Sequence, residues 1–214
     1  MNKNYNIEII SKELCKSILF SHHYLNKKNK GFRSGFNFGL FKEGVLVGVC
    51  IFHSPSVPET LKGCFGLKRN EQSGIYELGR LCLNPNIIEK NILSWFVSVC
   101  IRLLKKQTEV KSILSYADSS LHTGFIYQAT NFGYYGLTDQ KKDFWFELED
   151  GSFMKHQRGP VKGRKGEWRN RDRKHRYLLV FDENLKCLWK KQPYPKIKNK
   201  APLNKRSEER RVGK

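Results

Sequence analysis

The sequence predicts an α/β protein of the α+β kind, one mixed sheet with few helices, carrying a basic C-terminal extension. Three observations predict it. The apolar period switches repeatedly between strand-like alternation and helix-like spacing over residues 1–150. The length, 214 residues, fits one domain of ordinary size or a domain with a tail. The charge is uneven. Residues 1–150 hold 19 basic and 14 acidic side chains, whereas residues 151–214 hold 21 and 6, so +15 of the net +20 lies in the last 64 residues.

The elements follow in order. Asn6–Ile10 reads as a short strand. Ser11 caps a helix through Phe20, with Leu14, Ile18 and Leu19 on one face. Phe36–Phe41 and Val45–Phe52 form two strands around the turn Lys42-Glu43-Gly44. Ile75–Leu83 is a strand that Asn84-Pro85 stops. Asn91–Gln107 is the strongest helix, its apolar face supplied by Ile92, Trp95, Phe96, Val99, Ile101, Leu103 and Leu104. Ser112–Ala117 is a strand, Gly124–Thr130 a short helix, and Tyr134–Leu137 with Phe144–Leu148 a closing hairpin.

Residues 1–150 thus read as the globular domain and residues 151–192 as the extension. The extension opens with Gly159, Gly163 and Gly166 among basic residues, a composition of mobile loops. Tyr177–Phe181, the turn Asp182-Glu183-Asn184 and Leu185–Trp189 then predict a small hairpin docked on the body. Residues 193–214 are Lys- and Pro-rich and are expected to be disordered. The last nine, Arg206–Lys214 (RSEERRVGK), look like a translated sequencing adapter. Removing them lowers the charge by only 2, four basic against two acidic residues.

Composition excludes several classes. At 39% hydrophobic and 13% aromatic the chain is not wholly disordered. It has no run of about 18 apolar residues, so no membrane span or membrane partner is expected. Met1–Ile10 lacks the basic start and apolar run of a secretory signal. Cys15, Cys50, Cys64, Cys82, Cys100 and Cys187 form no C-x-x-C pair, which fits buried thiols in a reduced cytosolic protein better than a disulfide framework or a zinc site. A net charge of +20 points to a polyanion, nucleic acid ahead of a membrane surface.

Three clusters carry chemistry. Ser21-His22-His23-Tyr24 follows the first helix; adjacent histidines there serve as base, ligand or donor, or are ordinary surface residues. Glu77-Leu78-Gly79-Arg80 places a carboxylate inside an apolar strand, which is costly unless it is paired, used or on a wet face. Ser115-Tyr116-Ala117-Asp118-Ser119-Ser120, followed by His122, Gly124 and Tyr127, sets polar groups at the carboxyl edge of the sheet, where open sheets bind ligands. Asp118 or Ser119 there equally suits a cap. His22, His23 and Asp118 would make a metal site only if they met in space, so no metal is assigned.

The succession His22-His23-Tyr24, Glu77-Leu78-Gly79-Arg80-Leu81, Asn91 with Ser94-Trp95-Phe96, Tyr116-Ala117-Asp118 and Gly124-Phe125-Ile126-Tyr127-Gln128-Ala129-Thr130-Asn131-Phe132 resembles the phage Mom proteins. These are adenine DNA-modification enzymes distantly related to the GNAT acyltransferases. The resemblance covers roughly residues 5–190. It implies a GNAT-like fold and a reaction placing a carbamoylmethyl group on adenine N6 of phage DNA, which blocks host restriction in the cytoplasm of the infected bacterium. Carried over by motif, His23, Tyr24, Asp118 and Tyr127 are catalytic, with Glu77 added, and Arg80, Asn91 and Ser94 contact a donor.

In this chemistry Asp118 accepts from the exocyclic amine, and His23 acts as general base if its pKa lies near working pH. Tyr127 protonates the departing group by the same resemblance. The target base must be flipped or single-stranded, with Tyr24 or Tyr135 stacking on it. Arg164, Lys165, Arg169, Arg171, Arg173, Lys174 and Arg176 around Trp168 form the expected grip on double-stranded or locally opened DNA. The donor is an acyl or aminoacyl compound, acetyl-CoA among the candidates. GNAT enzymes hold the CoA pyrophosphate on a Gly-rich turn, yet here the turn Asn84-Pro85-Asn86-Ile87-Ile88-Glu89-Lys90-Asn91 has no glycine, and Pro85 removes an amide. Two other readings compete: a GNAT-type N-acyltransferase acting on protein, a small amine or tRNA, and a non-catalytic basic nucleic-acid-binding protein.

Overall fold

The computed structural model describes residues 4–24, 31–156 and 159–196. Its centre is a seven-stranded sheet in the order β1-β2-β3-β4-β5-β10-β6. The strands are β1 (Tyr5–Ile9), β2 (Phe36–Lys42), β3 (Val45–His53), β4 (Ile75–Leu83), β5 (Ser112–Asp118), β6 (Gly133–Leu137) and β10 (Lys174–Val180). Every neighbouring pair is antiparallel except β4 and β5.

Among the described residues four α-helices cover this sheet: α1 (Lys12–His22), α2 (Glu59–Phe65), α3 (Ile92–Gln107) and α4 (Phe125–Ala129). Alternation along β3 sorts the two faces. Cys50 and Phe52 pack with Phe38 and Ile113 beneath Phe96, Cys100 and Leu104 of α3. Val49 and Ile51 pack on the opposite face against Cys15, Ile18 and Leu19 of α1. Leu61, Cys64 and Phe65 of α2 cover Ile75, Leu114 and Leu178, also on the face away from α3.

Local chemistry sets the ends of these helices. Ser11 Oγ accepts from the Leu14 amide at 3.2 Å, the expected N-cap. Gly66 ends α2 at φ +73, a left-handed conformation that glycine adopts without strain. The sequence predicts no element between Phe52 and Ile75. There the structure forms α2 and a 3₁₀ turn at Arg69–Glu71. The helix is short and interrupted by Gly63, so it shows no sustained apolar period; its stability comes from Leu61 and Cys64 packing on the sheet.

The extension departs most from expectation. Tyr177 and Leu178 belong to β10, which enters the main sheet between β5 and β6 instead of forming a surface hairpin. The apolar run Tyr177–Val180 is covered on both faces, and only a central strand gives that burial. Leu185–Trp189 is not a strand. It runs over the body, with the Leu188 amide on the Cys64 carbonyl (2.7 Å) and the Gln192 amide on that of Tyr134 (2.8 Å).

The hairpin expected between Tyr134–Leu137 and Phe144–Leu148 is also absent. β6 pairs with β10, while β7 (Lys142–Glu147) heads a separate three-stranded sheet, β8-β7-β9, with β8 (Phe153–Lys155) and β9 (Gly166–Asn170). The region expected to be a mobile loop therefore contributes Gly166 to a strand. A Cβ at Gly166 would lie 2.2 Å from the Trp145 carbonyl oxygen, so the close approach of β9 to β7 requires glycine. Within the expected disordered tail, the Tyr194 hydroxyl donates to the Phe132 carbonyl at 2.8 Å; residues 197–214 lie outside the described residues.

Candidate active site

The site begins where two parallel strands part. β4 and β5 pair at Ile75↔Ser112, Tyr76↔Ile113 and Glu77↔Leu114, and the ladder stops there although both strands continue. A cavity of about 660 Å³ opens beyond that point. β4 lines it from Glu77 to Leu83, β5 contributes Tyr116 and Asp118, α3 contributes Ile92, Leu93 and Ser94, and α4 contributes Phe125, Ile126 and Tyr127. His23 and Tyr24, just after α1, close one side with His122 and Lys174.

All eight residues expected to be catalytic or donor-binding stand on this wall: His23, Tyr24, Glu77, Arg80, Asn91, Ser94, Asp118 and Tyr127. They come from stretches up to a hundred residues apart in sequence, and the parting of β4 from β5 brings them together.

The His23 and Tyr24 rings stack at 4.8 Å and 19°, and Tyr24 meets His122 edge-on at 6.5 Å. Burial, assisted by the positive charge of Arg80 and by His122, pushes His23 down to about 4. His23 is therefore a neutral imidazole at physiological pH, not a base poised near 7. Burial also lowers His122, with Asp118 opposing. The Gly124 amide donates to His122 Nδ1 at 3.2 Å, which places the proton of the neutral ring on Nε2.

Asp118 ends β5, and its Oδ1 accepts from the Ser120 amide (3.0 Å) and hydroxyl (2.7 Å). The turn it anchors brings the His122 amide onto the Asp118 carbonyl at 3.0 Å. The capping role and a place on the cavity wall thus coexist in one residue. Tyr127 lies between Tyr177 and Phe132, with ring centroids 5.0 and 5.6 Å away. Burial pushes its phenol up to about 12, partly offset by the Ser115 hydroxyl, so it stays protonated at neutral pH. Gly124 allows this packing, since a Cβ there would sit 2.6 Å from the Tyr177 ring.

Glu77 Oε2 accepts from the Ser56 amide at 2.8 Å, which ties the segment after β3 to β4. Arg80 Nη1 donates to the Gly79 carbonyl at 2.7 Å, and burial lowers the guanidinium pKa. Gly79 cannot carry a side chain, because a Cβ would fall 2.0 Å from His53 Nε2. At the start of α3, Asn91 adopts φ +62 and the Ser94 hydroxyl donates to its carbonyl at 3.0 Å.

The turn before α3 does not fit a CoA pyrophosphate. Pro85 has no amide, the Ile87 amide donates to the Asn84 carbonyl (3.0 Å) and the Asn86 amide to Asn84 Oδ1 (3.0 Å). Glu89, held by Tyr5 at 2.7 Å and Lys42 at 2.8 Å, adds a carboxylate to the same stretch of wall. Ile87 and Ile88 make the rest of that wall apolar. Among the described residues, no group of three or more His, Cys, Asp and Glu side chains is placed to hold a metal ion.

The basic residues expected to contact DNA are divided. Lys174 alone among them reaches the large cavity. Lys165 pairs with Glu147 at 2.8 Å, Arg169 with Glu167, and Arg171 with Asp143, all within the small sheet. Arg164 lies over the Phe146 ring (5.6 Å), and Arg173 Nε donates to the Thr138 carbonyl at 2.6 Å. Arg176 stacks on Trp189 at 4.5 Å, and its buried Nε has no hydrogen-bond partner. It is half-buried in β10, where it packs on Trp189. Trp168 is 56% exposed. Tyr135 packs on Trp189 and not at the cavity, so it is no stacking partner for a base there.

The profile of the Mom protein family matches residues 4–196. The chain belongs to the Mom protein family. None of the curated proteins matches it in sequence. Among solved structures, this Mom family member is similar to an IAA acetyltransferase from Bacillus cereus ATCC 14579 (12% identity, TM-score 0.51), over 83% of this chain and 99% of that one. It is also similar to a ribosomal-protein-S5-alanine acetyltransferase from Vibrio fischeri (11% identity, TM-score 0.50), over 87% and 97%. The fold is therefore that of the GNAT acetyltransferases. In this Mom family protein the cavity wall also carries Tyr116 and His122, which the sequence places in the Asp118 cluster without a role of their own. The parting of the strands exposes Tyr116, and the turn after Asp118 brings in His122.

Proposed function

We propose that this protein modifies DNA, converting adenine to N6-carbamoylmethyl adenine and so protecting phage DNA from restriction in the host cytoplasm. The observation that carries this reading is the assembly of all eight family-like residues on one cavity wall. With an aminoacyl donor of the glycyl class, N6 loses a proton and bonds the donor's carbonyl carbon as that carbon's bond to the leaving group breaks. The N6-glycyl product is an isomer of N6-carbamoylmethyl adenine. It is converted when N6 moves to the methylene carbon and the glycyl amine to the carbonyl carbon. The lone pair of N6 is delocalised into the ring, so the base must be held rigidly while that proton leaves. Asp118 accepts from the exocyclic amine, and neutral His23 is a second acceptor. Tyr127, protonated and buried, donates to the departing group. Arg80 faces the developing negative charge of the leaving group. The donor is an acyl or aminoacyl compound that does not depend on a diphosphate cradle. Unpaired cations of the basic segment meet the phosphates of double-stranded or locally opened DNA.

The test is mass spectrometry of nucleosides from plasmid DNA after expression in a bacterial host. A deoxyadenosine carrying a carbamoylmethyl group supports the reading. A different adduct keeps DNA modification and overturns this chemistry. Unmodified DNA with folded protein overturns the reading in favour of N-acyl transfer to a protein, amine or tRNA, which the GNAT fold also accommodates.

A further inference from the structure

A second cavity, of about 340 Å³, lies on the α2 side of the same gap. Glu77, Arg80, Tyr116 and Lys174 line both cavities, so the two meet where β4 and β5 part. The larger is walled by α3 and α4, the smaller by the segment from Pro55 to Thr60. That segment is held in place by Glu77, through the 2.8 Å bond from the Ser56 amide.

Between Glu77 and Arg80 at the junction and the charged residues of the rim, the lining of the smaller cavity suits a flat, uncharged ring with hydrogen-bonding edges. Pro55, Val57, Leu114 and Tyr116 are apolar or aromatic, and Ser56, Thr60 and Thr138 supply hydroxyls. Ligand cavities start at about 300 Å³, so this one is sized for a single nucleoside. Its rim carries Lys141, Arg171 and Lys174 against Asp139 and Asp172. Arg171 is already bound to Asp143, which leaves Lys141 and Lys174 for a phosphate on either side of one nucleotide. The rim is also continuous with β9, since Arg171 directly follows β9 and Lys174 opens β10.

We propose that the smaller cavity receives the extruded adenine nucleoside, base inward against Tyr116, while the larger cavity holds the donor. This rests on the DNA-modification reading above. The exocyclic amine then enters the gap from one side and the donor from the other. Lys174, at the junction, contacts the phosphate beside the extruded nucleotide.

Binding can be measured without turnover. The probe is a short duplex with 2-aminopurine in place of one adenine, set opposite an abasic site so that extrusion costs no pairing. The comparison is the same duplex fully paired. The wild-type chain is expected to bind the abasic-opposed duplex at least about tenfold more tightly and to change its 2-aminopurine emission. Val57→Trp fills the mouth from a side chain that is 54% exposed, outside the core. It is expected to erase the preference and leave affinity for the paired duplex unchanged. Lys141→Glu, at an exposed rim position, is expected to weaken binding of both duplexes and to weaken the abasic-opposed one more, so that the preference falls; it covers the case of a misfolded Val57→Trp. Full preference in both folded variants overturns the proposal, as does a wild-type chain that never prefers the extruded base. If the preference behaves as expected and no modified deoxyadenosine is found in the plasmid test, the nucleoside site stands and the modification reading falls. If modified deoxyadenosine is found and the preference is missing, the reverse holds.

Discussion

Ser115 Oγ donates a 2.9 Å hydrogen bond to the carbonyl oxygen of Leu78, joining β5 to β4 one residue past the end of their backbone ladder. The bond sits at the apex of the gap and sets where it begins. Ser115 is fully buried, so removing its hydroxyl leaves the Leu78 carbonyl short of a partner. Ser115→Ala is expected to cost about 1–3 kcal/mol and to lower the melting temperature accordingly. Modification should fall as well, because Ser115 also faces Tyr127. Calorimetry alongside nucleoside analysis checks both.

Asp118→Ala is expected to abolish DNA modification while the chain stays folded. The carboxylate also anchors a turn through Ser120, so the loss needs a control. Ser120→Ala removes part of that anchoring and keeps the carboxylate; it is expected to retain most of the activity. Equal loss in both variants would reduce Asp118 to a cap.

Tyr127→Phe keeps the ring between Tyr177 and Phe132 and removes only the hydroxyl. A rate loss of about 10²–10⁴ is expected for a lost proton donor. An unchanged melting temperature with that loss assigns the effect to chemistry, and unchanged modification removes Tyr127 from the mechanism.

Burial holds the folded-state pKa of His23 near 4, below the ordinary value of 6.5. The unfolded chain therefore binds more protons between those values. The stability tied to neutral His23 is complete above about pH 6.5 and is lost as pH falls toward 4. His23→Gln is expected to flatten the fall in melting temperature over that window. No inflection of activity near pH 6.5 is expected from His23.

Arg171 and Lys155 beside Asp143 hold its carboxyl down to about 2, and the Arg171 pair braces β9 against β7. Cations so occupied release few counterions when DNA binds. Lys174→Ala is expected to reduce the slope of log affinity against log salt by about one. Arg171→Ala should change the slope less and destabilise the small sheet. Equal slopes for the two variants would place both on phosphates.

Much of the fold was legible because its signals are local. The apolar stripe of α3 and the Ser11 cap depend on neighbours within a few residues, and the structure begins α1 and α3 where those signals place them. The Asn84-Pro85 stop ends β4 at Leu83 in the same way. The residues of the site were legible as well, through the ordered short motifs that resemble the Mom proteins. Which strand pairs with which was not. Tyr134–Leu137 and Phe144–Glu147 are each clear strands, and alternation says nothing of partners. β6 chose β10, forty residues on, because Tyr177 brings an apolar surface that buries Tyr134 and Tyr127 together. The charged run from Arg164 to Arg176 read as one stripe; pairing with Asp143, Glu147 and Glu167 divides it between two sheets. The sequence by itself determined most strands and the three helices α1, α3 and α4, which rest on periodicity, and the short motifs that line the cavity, which rest on their resemblance to the Mom proteins. The tertiary structure alone decided the point at which β4 leaves β5, and hence both cavities, because a gap between parallel strands is made by long-range packing that no local pattern records.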